Sequence, residues 1–451
     1  MNVDEKFELI KRNTAEIITE KELKDLLVKK TKPVIYWGTA PTGKPSIAYL
    51  FPALKIADFL RAGFHVKILI ADLHAALDNV PWNILEKRYD YYSKIIPLLI
   101  KSIGVDVSEL EIVKGSEMEL KPEYMYDVLQ MSSNVSVHDA TKAASDVVKM
   151  GDNPKLSGII YPLMQAMDEE YLKVDCQLGG TDQRKIMVLA RENLPKIGYN
   201  SRIEIMNPLI PGLVGKKNNT QGKITLNVGG EEEFDTFIIR LKKVDNKLLR
   251  QKSGILNIAN VLYGSSYEDI PIYLEILDKQ RNLLQNFPLL KGESSSVDKV
   301  KGLGIKCLDI DTSSNMDNVT LGISYESFNK MSSSDVKSKI DFLDDEKTIM
   351  QKVNAADCVE GNPDNGVMAF LKYVVMTIKG DKKEKFVVKR DKKFGGDVSY
   401  NNYEEIEKDF IEKKLHPMDL KIAVAKEIVE ILKPVQKEKK VLEKLMKEAY
   451  E

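Results

Sequence analysis

The feature that most constrains the fold is a strand, a glycine-rich turn, a helix and a second strand in immediate succession. Residues 34–37 form a short apolar run, residues 38–45 are rich in turn formers, and apolar residues recur at helical spacing over 46–62. Residues 66–71 are almost continuously apolar, as in a parallel strand covered on both faces. This order predicts a βαβ unit. Further strand and helix patterns up to about residue 215 extend it to a Rossmann-like parallel sheet.

Changes of composition divide the chain into four predicted segments, of which the third interrupts the second. They are a helical N-terminal lead-in (1–32), a Rossmann-like α/β domain (33–215 with 330–345), an insertion of unassigned role (216–329) and a mostly α-helical domain (346–451). Within the insertion the patterns favour a strand at 223–228 and a helix at about 273–287. In the last segment they favour helices at 403–410 and 418–432.

The charge balance gives no general attraction to nucleic acid, because 67 Lys and Arg residues face 68 Asp and Glu residues, a net charge of -1. A polyanion site must therefore be a local patch, and DNA is not a predicted partner. Cys176, Cys307 and Cys358 lie too far apart for a C-x-x-C metal or redox motif, so no metal site is predicted. The chain shows neither a long apolar run nor a signal-peptide core at its start, which predicts a cytoplasmic protein with no membrane partner.

The glycine-rich turn first suggests a P-loop. Gly38-Thr-Ala-Pro-Thr-Gly43-Lys44 fits G-x-x-x-x-G-K, and the apolar run ending at Asp72 resembles the strand that carries a magnesium-binding aspartate. A P-loop also needs a Ser or Thr after the lysine, where Pro45 offers neither a hydroxyl nor an amide proton. What remains is a tight turn before a helix N-terminus, which is either a phosphate-binding turn or a purely structural one.

A second motif, far along the chain, favours the phosphate-binding alternative. Lys330-Met-Ser-Ser-Ser334 is similar to the signature loop of class I aminoacyl-tRNA synthetases, and residues 46–49 stand at the place of their H-I-G-H signature. Between these motifs, residues 161–168, 179–185 and 206–213 resemble the archaeal and eukaryotic branch of the tyrosyl-tRNA synthetases. Beyond them, residues 394–397 and 415–421 resemble that branch's anticodon-binding domain. The resemblance does not cover 216–329.

The resemblance implies that tyrosine reacts with ATP to form tyrosyl-adenylate and is then transferred to the terminal adenosine of tRNA(Tyr). Because the tyrosine carboxylate is already an anion, catalysis needs in-line positioning and neutralisation of phosphate charge, with magnesium carried by the nucleotide. By family pattern the catalytic residues are Lys44, Ser46, Lys330, Ser332 and Ser333. The implied ATP contacts are Gly38, Thr42, Gly43, Tyr49, Gly179, Gly180, Asp182 and Met331.

Tyr161, Gln165 and Asp168 are spaced i, i+4 and i+7, which places them on one face of a helix. By resemblance, Tyr161, Gln165 and Gln183 would hold the substrate ammonium group, while Asp168 and Tyr36 would bind its phenol. A buried aspartate that accepts the phenol hydroxyl disfavours phenylalanine, which would leave the carboxylate unpaired. His74 follows a strand at the edge where such sheets bind ligands, and it is either a pocket residue or a hydrogen-bonded structural histidine.

A basic run predicts the tRNA surface. Residues 379–393 contain eight Lys or Arg and three acidic residues, a local excess of +5. Such a run is usually a solvated loop, but beside the resemblance to an anticodon-binding domain it predicts phosphate contacts, with Arg390 and Lys392 among them. Phe394 is predicted to stack on an anticodon base, and His416 and Asp419 to read the edge of that base.

Ser46 departs from the family pattern, because it stands where the first signature histidine assists the ATP phosphates. A serine is shorter and carries no positive charge, which predicts slower adenylation. Two hypotheses follow: an active tyrosine-tRNA ligase, or a catalytically weakened homologue that binds tRNA or a protein. The resemblance also implies a homodimer, with its surface in the helices between residues 121 and 149.

Overall fold

The structure is a computed structural model that describes residues 1–148, 155–213, 217–227, 229–233, 238–243, 272–277, 283–288, 294–297, 305–312, 318–328 and 339–451. The chain divides into two compact units. One comprises Met1–Gly215 with Lys330–Glu451, and the other is Lys216–Asn329. None of the described helices is long and apolar enough to cross a membrane.

The N-terminal part of the first unit alternates strands with helices. Its strands are β1 (Glu16–Ile18), β2 (Val34–Thr39), β3 (His65–Ile70), β4 (Leu110–Lys114), β5 (Cys176–Gly180) and β6 (Ile203–Asn207). Its helices are α1 (Val3–Lys11), α2 (Glu20–Lys29), α3 (Leu50–Arg61), α4 (Asp72–Leu77), α5 (Leu85–Ser102), α6 (Gly115–Glu119), α7 (Pro122–Ser132), α8 (Val137–Ala144), α9 (Leu156–Tyr171) and α10 (Arg184–Asn193).

These six strands form one sheet in the order β1-β6-β5-β2-β3-β4. β2 runs parallel to both β3 and β5, β3 runs parallel to β4, and the edge strand β1 runs antiparallel to β6. The chain moves outward from β2 on one side and returns to β5 on the other. The strand order therefore reverses at β2, and a crevice opens at the carboxyl ends of β2 and β5. The predicted Rossmann-like parallel sheet is confirmed.

The N-terminal lead-in is not purely helical. Asn2 and Thr19 accept hydrogen bonds from the backbone three residues on, and Glu5 and Glu22 complete capping boxes that start α1 and α2. Between the two helices, β1 adds an edge strand to the sheet. The two adjacent isoleucines of β1 suit a strand, but a three-residue element is too short to show a period of two in the sequence.

Alternation along β2 and β3 divides their side chains between two layers of helices. Ile35 and Ile68 pack on the face covered by α3 and α5, whereas Tyr36 and Leu69 pack on the face covered by α7 and α9. Tyr36 is thereby directed towards α9, the helix that carries Asp168. The register of the sheet thus determines which residues can meet in the crevice.

The second unit consists of two antiparallel four-stranded sheets, in the orders β11-β10-β9-β8 and β12-β13-β14-β7. Its strands are β7 (Lys217–Asn227), β8 (Glu231–Glu233), β9 (Ile238–Lys243), β10 (Ile272–Leu277), β11 (Leu283–Pro288), β12 (Ser294–Val297), β13 (Ile305–Thr312) and β14 (Asn318–Phe328). The strand predicted at 223–228 lies in β7, apart from residue 228, which is outside the described residues.

The helix predicted at about 273–287 is wrong, because the described residues of this stretch form β10 and β11, which pair antiparallel with each other. β10 also pairs with β9, whose residues lie 29 to 39 positions earlier in the chain, and Glu275 binds Arg240 across that pairing at 2.5 Å. The apolar spacing of the stretch fits a helical period as well as a strand. A distant partner strand decided between the two, and a local sequence window cannot show it.

The C-terminal part of the first unit is mainly helical, as predicted. Its helices are α11 (Glu346–Asn354), α12 (Gly366–Phe370), α13 (Met376–Lys382), α14 (Tyr403–Ile411), α15 (Pro417–Gln436) and α16 (Lys439–Tyr450). A small antiparallel pair, β15 (Phe386–Val388) and β16 (Val398–Tyr400), lies between α13 and α14. α12 begins against the backbone after β6, where a Cβ on Gly366 would lie 2.3 Å from the carbonyl oxygen of Gly212.

A buried carboxylate joins three parts of this unit. Asp58 of α3 accepts a hydrogen bond of 2.9 Å from Arg12 Nε, and it lies 3.5 Å from Lys55 Nζ. Arg12 also donates to Asp381 of α13 at 2.6 Å, as does Arg61. Because Asp58 is almost completely buried, these cations offset the cost of desolvating it. The lead-in, α3 and the C-terminal helices are therefore held in one arrangement.

Candidate functional site

A cavity of about 890 Å³ opens at the carboxyl ends of β2 and β5, where the strand order reverses. Every predicted substrate-site residue in the described part of the chain lines this cavity. From the end of β2 and the segment between β2 and α3 come Gly38, Thr42, Gly43, Lys44, Ser46 and Tyr49. From the strands and the other helices come Tyr36, His74, Tyr161, Gln165, Asp168, Gly179, Gly180, Asp182 and Gln183. Below, this space is called the switch-point cavity.

The α9 face predicted from the spacing is present. Tyr161, Gln165 and Asp168 lie on α9 and all line the cavity, and Asp168 is 1% exposed. The Tyr36 hydroxyl donates to the carbonyl oxygen of Gln165 at 3.5 Å. Burial and the nearby Asp168 carboxylate raise the pKa of Tyr36 well above its ordinary value, so its phenol stays protonated. This part of the cavity wall therefore carries a buried carboxylate beside a protonated phenol.

Asp168 has partners that the sequence did not reveal. The Tyr124 hydroxyl of α7 lies 2.8 Å from Asp168 Oδ1 and 2.7 Å from the carbonyl oxygen of Met164, and can donate to either. His74 Nε2 lies 3.7 Å from Asp168 Oδ2, while His74 Nδ1 lies 3.3 Å from Glu119 Oε1. We call His74, Glu119 and Asp168 the buried triad, because each is at most 2% exposed.

The charge of the buried triad follows from its geometry. Burial by itself lowers the pKa of His74, but the carboxylates of Glu119 and Asp168 outweigh it and raise that pKa to about 9. Burial and Glu119 raise the pKa of Asp168 well above its ordinary value, against the opposing effects of His74 and Tyr124. The His74 ring lies between the two carboxylates, with one at each ring nitrogen, and this geometry favours the imidazolium form.

The ammonium-binding residues and the β5 glycines meet at the next part of the cavity wall. Gln165 Nε2 donates to Gln183 Oε1 at 3.1 Å, which joins α9 to the turn after β5. A Cβ on Gly179 would lie 2.6 Å from Met187 Cε, and one on Gly180 would lie 2.5 Å from Asp182 Oδ1. The end of β5 therefore has no room for side chains and presents bare backbone to the cavity.

The turn after β2 is held from outside by side chains that the sequence did not single out. Arg88 of α5 donates to the carbonyl oxygens of Pro41, at 3.1 Å, and of Thr42. The Tyr450 hydroxyl of α16 donates to the Gly43 carbonyl at 2.9 Å, as does that of Tyr92. Lys339 Nζ donates to the carbonyl of Lys44 at 3.3 Å. Four consecutive carbonyls are thus bound by side chains from elsewhere in the unit.

The segment that follows the second signature motif lies beside the first. Ser46 is buried and forms a backbone bridge with Asp341, and the backbone amide of Ile47 donates to the carbonyl of Ile340 at 3.0 Å. Lys339 and Asp341 also line the cavity. The predicted Lys330, Met331, Ser332 and Ser333 themselves lie outside the described residues.

The predicted tRNA residues lie in the C-terminal helical part. Phe394 is 62% exposed, with Lys393 Nζ 4.9 Å from its ring centroid, and Lys392 is exposed. His416 Nδ1 accepts from the backbone amide of Met418 and so caps α15, which also carries the half-buried Asp419.

Arg390 is tied to its own part of the chain. It donates to the carbonyls of Gly396 and Lys414, at 3.0 Å each. These two bonds use only part of the hydrogen-bonding capacity of its guanidinium. Lys392 and Phe394 are more exposed than Arg390.

Comparison with known proteins identifies the family. The family model of class I tRNA synthetases (W and Y) matches residues 29–281 and 324–433. A relative from Danio rerio named "Tyrosine--tRNA ligase, cytoplasmic" is 37% identical over 455 positions, which cover 100% of this chain and 64% of that relative. A relative of the same name from Saccharomyces cerevisiae is 36% identical over 443 positions, covering 96% of this chain and 84% of that protein. The chain thus spans about two thirds of the first relative's length.

The solved structures agree with this family. The tyrosyl-tRNA synthetase of Archaeoglobus fulgidus, crystallised with L-tyrosine, superposes with a TM-score of 0.65 at 28% identity, covering 97% of this chain and 99% of that one. The matched family model covers well over half of the present chain. The chain therefore belongs to the class I tRNA synthetases, on their tyrosyl-tRNA synthetase branch.

Proposed function

We propose that this protein is an ATP-dependent tyrosine-tRNA ligase, which forms tyrosyl-adenylate and transfers tyrosine to the terminal adenosine of tRNA(Tyr). One observation carries the proposal: a buried carboxylate, Asp168, lines the same cavity as the glycine-rich turn and Lys44. A phenol donating to Asp168 would place the rest of tyrosine along the α9 face, with its carboxylate directed to the nucleotide end. The relatives are named cytoplasmic enzymes, which supports the same compartment here.

The chemistry of this cavity fits adenylation. The substrate carboxylate attacks the α-phosphorus and pyrophosphate leaves, so no activated serine, cysteine or histidine nucleophile is needed. With the carbonyls of residues 41–44 bound from behind by Arg88, Tyr92, Tyr450 and Lys339, the turn is fixed and Lys44 can face the phosphates. Magnesium would be carried by those phosphates. The side chains contribute positioning and positive charge, which are the main requirements of phosphoryl chemistry.

Tyrosine-dependent exchange of labelled pyrophosphate into ATP tests the proposal directly. Purified protein with magnesium, ATP and tyrosine should catalyse exchange, and omission of tyrosine should abolish it. Exchange followed by transfer to tRNA(Tyr) would establish the complete reaction. Absence of exchange despite tyrosine binding would favour the weakened homologue, in which Ser46 replaces the first signature histidine. Hydrolysis of ATP without tyrosine would instead indicate a nucleotide hydrolase.

Arg88 should matter for ATP and not for tyrosine. Arg88→Met removes the donor to two carbonyls of the turn while keeping much of the side-chain volume. We expect the KM for ATP in the exchange reaction to rise about tenfold, the effect of one or two lost hydrogen bonds, with the KM for tyrosine unchanged. Lys87→Met on the same helix is the control, because Lys87 is exposed. Equal effects on both substrates would show that Arg88 supports the whole fold and not the turn.

A homodimer is the proposed assembly, with α7 at its surface. Large apolar side chains are exposed on and around this helix, namely Leu120, Met125, Tyr126, Leu129, Val137 and Leu156. Tyr126 and Leu129 are 68% and 65% exposed and lie one turn apart on the same face. Neighbouring apolar groups of this size usually mark an interface.

Sedimentation can test the dimer. The unmodified chain should sediment as a dimer, and Tyr126→Asp with Leu129→Asp should give a monomer, because each places a charge in an apolar contact. Val441→Asp is the matched control, since Val441 is exposed on α16, away from α7. A monomeric unmodified chain would contradict the assembly, as would a double variant that remains dimeric.

The tRNA surface is proposed to lie around β15 and β16. Six lysines of the basic run are exposed: Lys382, Lys383, Lys385, Lys389, Lys392 and Lys393. By contrast, Lys379 is paired with Glu384 and Glu427 and has less to offer a phosphate. The exposed Phe394 beside these lysines combines a stacking surface with positive charge, the combination that binds unpaired bases.

A further inference from the structure

Glu119 is the least explained residue near the switch-point cavity. It is fully buried at the end of the short helix α6, and neither of its carboxylate oxygens has a hydrogen-bond partner that meets normal geometry. Both ring nitrogens of His74 are in the same condition. Burying ionisable groups whose hydrogen bonds are incomplete is costly, which suggests that Glu119 has a role beyond packing.

The three members of the buried triad are arranged in a line of contact. Glu119 Oε1 lies 3.3 Å from His74 Nδ1, and His74 Nε2 lies 3.7 Å from Asp168 Oδ2. The imidazole ring is also fixed edge-on against the Tyr161 ring, with 4.6 Å between centroids. A carboxylate on one ring nitrogen of a histidine determines which nitrogen keeps a proton and where the ring points.

We propose that Glu119 is a positioning residue for tyrosine recognition, which acts through His74: it keeps the imidazole doubly protonated, so that Nε2 carries a proton towards Asp168 Oδ2. Tyr124 already lies at Oδ1 of the same carboxylate. With both sides of Asp168 bound by donors, the carboxylate is fixed to accept the phenol proton of tyrosine. The inference rests on the proposed function for the identity of this ligand.

Loss of the Glu119 charge should make the His74 ring neutral near physiological pH. Several charged or titratable groups face this ring. These are Asp72 on the same helix, Glu119 of α6, Asp168 and Tyr161 of α9, and Tyr124 of α7 beside Asp168. Burial lowers the pKa of His74 and the carboxylates raise it to about 9, with Glu119 the largest of them. Without Glu119, burial gains weight and the ring loses its positive charge at lower pH, although Nε2, which faces Asp168, keeps its proton.

Glu119→Gln is the test, because glutamine keeps the shape and removes the charge. His74 is one of four histidines, so nitrogen-15 NMR of histidine-labelled protein can follow its ring, with His74→Gln giving the assignment. In the unmodified protein both ring nitrogens should remain protonated to pH 8. In Glu119→Gln the midpoint should fall by roughly one to two pH units.

Tyrosine binding, measured by calorimetry without ATP, gives the functional readout. Between pH 6 and 8.5 the affinity of the unmodified protein should stay constant, whereas that of Glu119→Gln should fall about tenfold as pH rises, since the imidazole beside Asp168 changes from a charged to a neutral donor. The double variant Glu119→Gln with His74→Gln should bind tyrosine weakly, with an affinity that does not depend on pH. A merely structural role for Glu119 would instead weaken tyrosine binding by Glu119→Gln to the same extent at every pH. Glu117→Gln is the control on the same helix, because Glu117 is exposed.

Two results would overturn the proposal: a neutral His74 ring in the unmodified protein at pH 7.5, or a flat pH profile for Glu119→Gln. Both measurements use tyrosine alone. A protein that binds tyrosine but fails pyrophosphate exchange would therefore contradict the ligase proposal and leave this one intact. No binding of tyrosine by the unmodified protein would overturn both.

Discussion

Replacing Asp168 with asparagine is expected to weaken tyrosine binding by about 100-fold, because a hydrogen bond to a buried charged acceptor is worth up to about 3 kcal/mol. Asp168 is 1% exposed and lines the cavity. The asparagine amide has nearly the same shape as the carboxyl group, so a loss of affinity would be due to the missing charge and not to a change of volume. Phenylalanine should suffer much less from the substitution, since it never pairs with the carboxylate. The measured preference for tyrosine over phenylalanine should therefore fall.

The same substitution should leave the fold at least as stable. Burial and Glu119 raise the pKa of Asp168 above its ordinary value. A group of this kind favours folding when it is protonated, and that contribution is lost as pH rises through the pKa of the folded state. Asparagine cannot ionise. The Tm of Asp168→Asn at neutral pH should accordingly match or exceed that of the unmodified protein, while tyrosine binding is impaired.

Asp127 offers a matched control for Asp168. It is also a buried aspartate, on α7, and it accepts from the hydroxyls of Tyr171 and Tyr199 at 2.7 and 2.5 Å, but it does not line the cavity. Asp127→Asn should reduce stability and leave the tyrosine preference unchanged. An unaltered tyrosine preference in Asp168→Asn would show that the phenol binds elsewhere.

Local sequence patterns predicted the site residues that lie together on a single helix or turn. Tyr161, Gln165 and Asp168 follow helical spacing, and all three lie on α9. Glu119 and Tyr124 could not be predicted in this way, because Glu119 contacts His74, and Tyr124 contacts Asp168, across about 45 positions of the chain. Their approach depends on how α6 and α7 pack against α9, which no short window contains.

The same limit applies at the nucleotide end. The sequence indicated a glycine-rich turn that is either a phosphate-binding turn or a purely structural one. It did not indicate which side chains would bind the carbonyl groups of this turn. In the structure Arg88 of α5 and Tyr450 of α16 bind its carbonyls, and the two side chains stack, with 4.6 Å from the guanidinium to the ring centroid. Two residues more than 350 positions apart support one turn. Only the packing of α16 on α5 reveals it.

Lys330 should affect catalysis more than binding. Residues 339–341, which begin nine positions after Lys330, are bound to the backbone of residues 44–47 and line the cavity. The described chain nearest to Lys330 therefore lies at the nucleotide end of the site. An ammonium group delivered there would neutralise charge that develops on the departing pyrophosphate.

Lys330→Ala is expected to lower kcat for pyrophosphate exchange by about 100-fold, the usual effect of removing one group that binds the transition state, with tyrosine affinity unchanged. A residue that bound only the ground state would instead raise KM and leave kcat alone. Lys347→Ala is the control, because Lys347 is an exposed lysine at the start of α11. If Lys330→Ala raised the KM for tyrosine while kcat stayed constant, Lys330 would belong to substrate binding, and the neutralisation of pyrophosphate would fall to Lys44 and the turn that Arg88 and Tyr450 hold.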